Sequence, residues 1–116
     1  MISPDPRIPV RLGTLGGVAL GAALLLEGDV APPAGTPFAR FEVGSAFGHA
    51  VGCACCRPRG AAAEALSRLY LARVRGVATP FAEVLAVTTS GAGRRAVVEA
   101  LAADPLTRAR FRLASR

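Results

Sequence analysis

The chain contains no lysine, asparagine, glutamine or tryptophan. Without lysine it has no ammonium group to reach a phosphate, form a Schiff base or serve as a tuned base. Aromatic residues are scarce, five Phe and one Tyr, which leaves little with which to stack nucleic-acid bases. The 14 basic residues are all arginine and are scattered along the chain. A formal net charge of +6 without a recognisable recognition module does not point to DNA or RNA as a partner. The uncharged apolar run from Leu12 to Leu26 has 15 residues, short of the ~20 that a membrane-crossing helix requires. The "LEGDVAPP" that closes it offers no small-x-small cleavage site. Three cysteines, an odd number crowded into four positions, do not suit a secreted disulfide framework. A cytoplasmic protein with no membrane partner is the expectation.

The 116 residues suffice for one domain. Hydrophobic residues make up 52% of the chain, but alanine and glycine supply much of that share, so stability is expected to be modest or supplemented by a partner or a metal. Residues 1–7 read as a mobile proline-rich leader and residues 8–116 as the domain. Ile8–Leu12 reads as a strand, followed by the glycine-rich "GTLGG" and an alanine–leucine helix ending near Glu27. "FARFEV" reads as a second strand. From Gly60 to about Arg75 a helix is expected, with Ala62, Leu66, Leu69 and Tyr70 on its buried stripe. Glu83–Thr89 is a nearly unbroken apolar run of the kind found in strands buried on both faces. Ser90–Gly93 reads as a turn, and the helix after it stops at Asp104-Pro105, because proline disfavours helical geometry in the residue before it. Strands alternating with helices predict an α/β layer structure with a mainly parallel sheet, Glu83–Thr89 central beside Ile8–Leu12 and helices on both faces.

Cys53, Cys55 and Cys56 are the only cysteines. Thiolates are soft donors suited to zinc and similar ions, and glycines together with Arg57-Pro58 would let a turn bring all three together. His49, the only histidine, lies four residues before Cys53 and is either a fourth donor or an ordinary loop side chain. The plainer alternative for the cysteines is that they are small buried hydrophobes.

"GCACCRPRGAAAEALSRL" resembles the G-C-x-C-C segment and following helix of CobW-type metal-chaperone GTPases. "VLAVTTSGAGRRAVVEALAADPLTRARFRL" is similar to that family's strand, T-S-G turn and succeeding helix, and "IPVRLGTLGGVALGAALL" lies where the family has its strand, P-loop and first helix. The resemblance runs from Ile8 to Leu113. It implies an incomplete three-layer P-loop-NTPase-like fold, with Cys53, Cys55 and Cys56 as ligands of a zinc or cobalt cargo. Gly13, Gly16 and Gly17 remain as the candidate cofactor-binding residues of a degenerate P-loop.

Departures from the family are equally specific. Val18, Ala19 and Leu20 stand where a P-loop has Gly, Lys and Ser/Thr, the residues that reach the outer phosphates and hold magnesium. The switch glutamate is Thr88, and the guanine-reading N-K-x-D motif is impossible without asparagine or lysine. GTP and magnesium, which the family implies, are therefore not supported by this loop, and hydrolysis is not expected. The implied function is metal binding or handover to an acceptor metalloprotein, or within a homo-oligomer, without nucleotide-driven switching. Two alternatives stand beside it: a GTPase with an atypical P-loop, and a decayed fragment with no surviving function.

Overall fold

The computed structural model describes residues 6–18, 21–43, 60–78 and 80–114. Five strands form one sheet: β1 (Ile8–Leu12), β2 (Ala22–Glu27), β3 (Phe38–Phe41), β4 (Glu83–Val87) and β5 (Phe111–Leu113). Among the described residues three α-helices accompany them: α1 (Ala61–Val74), α2 (Gly91–Ala103) and α3 (Pro105–Arg110). The strand order is β3-β2-β4-β1-β5, and every pairing is parallel. The expected α/β architecture is present, with β4 central and beside β1. Among the described residues, no helix is long and apolar enough to cross a membrane.

One element differs in kind from the sequence expectation. The alanine–leucine run expected to be a helix after the glycines is strand β2, and among the described residues between β1 and β2 there is a single 3-10 turn, Leu15–Gly17. Alanine and leucine favour helix intrinsically. The run, however, is six residues long, and Gly21 and Gly28, with φ of +83° and +78°, bound it. That is strand length, and all six residues are buried between β4 and β3. A sheet position closed on both faces accepts any continuous apolar run, so burial overrides propensity here.

The helices expected on both faces lie, among the described residues, on one. Val10, Ala23, Leu25, Phe41, Val84 and Ala86 form the helix-facing side of the sheet, in one core with Leu66 and Leu69 of α1 and Val97 and Leu101 of α2. The opposite face carries Leu24, Leu26, Leu85 and Val87, against which Leu15, Val18 and Val30 pack. Alternation along each strand produces this sorting. The stripe expected on α1 is the buried one, except that Tyr70 is half-buried. Its ring meets Phe111 edge-on at 6.1 Å, and the Arg110 guanidinium lies 4.4 Å from its centroid.

The end of α2 falls where proline predicts it. Asp104 closes α2 and caps α3, its Oδ2 accepting from the Thr107 N–H at 3.0 Å and from Thr107 Oγ1 at 2.9 Å. Arg7, the last residue of the proposed leader, donates from Nη1 to the Arg108 carbonyl at 3.3 Å.

Candidate functional site

In an open parallel sheet, ligands favour the carboxyl ends of strands where successive connections leave in opposite directions. Here that place lies between β1 and β4. The chain leaves β1 across β4 toward β2, and leaves β4 across β1 toward β5. Gly13, which follows β1, and residues 88–90, which follow β4, lie at this carboxyl edge, while Leu15 and Val18 pack back over the face of Leu24, Leu26, Leu85 and Val87. Val43 and Gly60, which follow β3 and precede α1, belong to the same edge, because α1 runs back along β3, with Ala72 and Val77 beside Gly35–Phe38.

The glycine loop starts at this edge and turns back over the sheet. The Gly13 N–H donates to the Ala86 carbonyl at 3.1 Å, continuing the β1–β4 ladder, and the Gly17 N–H donates to Thr14 O at 2.8 Å. Two of the three candidate cofactor-binding glycines thus commit their amides to the chain's own carbonyls. Arg11 reaches the loop, Nη2 donating to Gly17 O at 3.4 Å, but its guanidinium also pairs with both oxygens of Glu83 at 3.2–3.3 Å. Half-exposed as it is, that pair contributes at most about 1 kcal/mol, but it balances the charge that an incoming phosphate would meet. A side chain added at Gly17 would enter open space, and one at Gly16 would make only an ordinary contact with Thr14. Gly16→Ala and Gly17→Ala are accordingly expected to change stability by less than about 0.5 kcal/mol in a urea melt.

The carboxyl edge also holds a group that the sequence pattern does not single out. Glu27, at the end of β2, is only 5% exposed. Its Oε1 accepts from the N–H groups of Thr89 at 2.6 Å and Ser90 at 3.1 Å, and its Oε2 accepts from Ser90 Oγ at 2.6 Å. Ser90 Oγ in turn accepts from the Gly93 N–H at 2.9 Å, the N-cap bond of α2. Burial opposes ionisation of Glu27, but the Ser90 hydroxyl and the Thr89 and Ser90 amides outweigh it, and the carboxyl titrates below its usual range. A carboxylate at the first turn of α2 also complements the helix dipole.

This arrangement is a brace rather than a catalytic pair. A carboxylate of lowered pKa is a poor base, and the Ser90 hydroxyl is engaged as both donor and acceptor. Gly93 is part of the same fit, since a Cβ there would overlap the Glu27 carboxylate. The sequence carried two faint signals of it: one acidic residue ending an otherwise apolar run, and Ser-Gly-x-Gly at a helix start.

His49, Cys53, Cys55 and Cys56 lie outside the described residues, as do Ala19 and Leu20. Among the described residues, no group of three or more His, Cys, Asp or Glu is placed to hold a metal ion. Comparison with protein-family models, with curated proteins and with solved structures finds no match to this chain.

Proposed function

We propose that this chain is a metal-handling protein related to CobW-type metallochaperones, holding a zinc or cobalt ion as cargo through the thiolates of Cys53, Cys55 and Cys56 and working without nucleotide hydrolysis. The observation that carries the reading is the C-x-C-C cluster running directly into a helix, with a strand, a T-S-G turn and a second helix following at the family's spacing. Its donor chemistry fits a soft or borderline divalent ion. Three protein ligands leave a coordination position open, which suits a carrier that releases its ion, and His49 or an acceptor protein is the candidate fourth donor. The parallel sheet, with β1 beside β4, is compatible with a P-loop-NTPase-like arrangement. The glycine loop lends no support to the GTPase alternative, because no lysine exists to serve it and two of its amides are already bonded.

The reduced protein is expected to bind about one zinc ion per chain or per pair of chains, with affinity falling as pH drops toward 5 because each thiolate must lose a proton to bind. Cys55→Ser or Cys56→Ser should weaken binding far more than a change at His49. Elemental analysis and competition with a chromogenic chelator measure this. Equal metal content in the wild type and the triple serine variant would refute the reading.

A further inference from the structure

Among the described residues, β3 is one of the two outer strands of the sheet. The carbonyls of Pro37 and Phe41 accept from the Leu24 and Gly28 N–H groups of the β2 side at 2.9 and 3.0 Å. By the alternation of a parallel ladder, the peptide groups of Phe38, Arg40 and Glu42 therefore point away from the sheet. A groove of about 670 Å³ runs along this edge beneath α1. Its apolar wall includes Phe38, Leu69, Ala72 and Val77; Phe38 is 43% and Val77 79% exposed. Arg40 and Arg68 supply its charge, and no aspartate or glutamate is among the described residues that line it.

Both arginines are held by carbonyl groups, which do not neutralise them. Arg40 Nη1 donates to Gly28 O at 2.6 Å and Val30 O at 2.7 Å, with its guanidinium 5.2 Å from the centre of the Phe38 ring. Arg68 Nη2 donates to Arg40 O at 2.8 Å, and that oxygen is the outward acceptor of the edge. Arg68 thus caps the acceptor that an added strand would use. A second copy of this chain would set Arg40 and Arg68 against their own counterparts on a surface of net charge +6, which disfavours self-pairing. An acidic segment meets the opposite condition.

We propose that the edge of β3, which pairs with no other strand among the described residues, takes up an extended acidic segment of a partner protein as an added strand, apolar side chains turned toward α1 and carboxylates toward Arg40. On docking, Arg68 releases the Arg40 carbonyl to the incoming backbone. This is strand addition, in which main-chain bonds supply affinity and alternate side chains supply selectivity.

The test uses the full chain, followed by backbone amide NMR, and three capped peptides. Glu-Val-Glu-Val-Glu-Val is expected to bind, with shifts centred on residues 36–42 and on α1. Lys-Val-Lys-Val-Lys-Val should not bind. A copy of the acidic peptide N-methylated at alternate residues should lose binding, since it keeps every charge but not the ladder. Arg40→Ala should weaken the acidic peptide about fivefold, the effect of one half-exposed charge pair. Equal binding of the acidic and basic peptides, indifference to N-methylation, shifts elsewhere, or no binding at millimolar peptide would each overturn the proposal. So would sedimentation showing a dimer that buries this edge.

Discussion

Gly93→Ala is expected to lower the stability of the domain by about 2–3 kcal/mol. The new methyl group would enter the space of the Glu27 carboxylate. Neither side can give way easily. Glu27 is fixed by three hydrogen bonds, and β2 behind it is buried along its whole length. α2 is anchored by Val97 and Leu101 in the core. Urea denaturation measures the loss, and a double-mutant cycle identifies its source. In a Glu27→Ala background the obstacle is gone, so the cost of Gly93→Ala should fall to well under half. Additive effects would show that the collision is not the cause.

Glu27→Ala alone should cost about 2–3 kcal/mol at neutral pH, because it strips the carboxylate from two amides and a hydroxyl. The effect carries a pH signature. The carboxyl of Glu27 is lowered by the Ser90 and Thr89 hydrogen bonds against the opposing effect of burial, so the folded chain binds its proton less readily than the unfolded chain does. Its contribution is therefore complete above the unfolded value, about 4.3, and is lost as pH falls through the lower folded value. Glu27→Gln keeps the shape but cannot ionise. The stability gap between wild type and this variant should be widest near neutrality and close progressively below about pH 4. Urea midpoints across that range check it. A gap independent of pH would mean that the charge contributes nothing.

Strand β4 was legible because its apolar run is β-branched and sits between turn residues, and α2 because its end is marked by Asp104-Pro105. Strand β2 was not. Its composition is that of a helix, and only its position between two strands that arrive from elsewhere in the chain makes it extended. The same reason hid the Glu27 brace. Its partners Thr89 and Ser90 lie 62 and 63 positions away, and no local pattern joins residues across that distance. The glycine loop was visible as a loop, but the absence of a helix behind it follows from β2. The cysteine cluster is the opposite case: its chemistry is legible from residue types alone, and it lies outside the described residues.

The place of β4 in the middle of the sheet also governs how the chain comes together. β1 and β2 are made first, yet they are not neighbours; each pairs with β4, and among the described strands the other partner of β1 is β5. Until residues 83–87 exist, β2 and β3 are, among the described strands, the pair able to form natively, and Val10, Leu24 and Leu26 lack the central strand β4. Contacts of such long sequence separation carry their loop-closure cost before any return, so folding should be slow for a domain of this size. A nascent or stretched chain would meanwhile show adhesive apolar strands to its surroundings, which makes the interval before β4 docks the period of greatest exposure to aggregation and to chaperones.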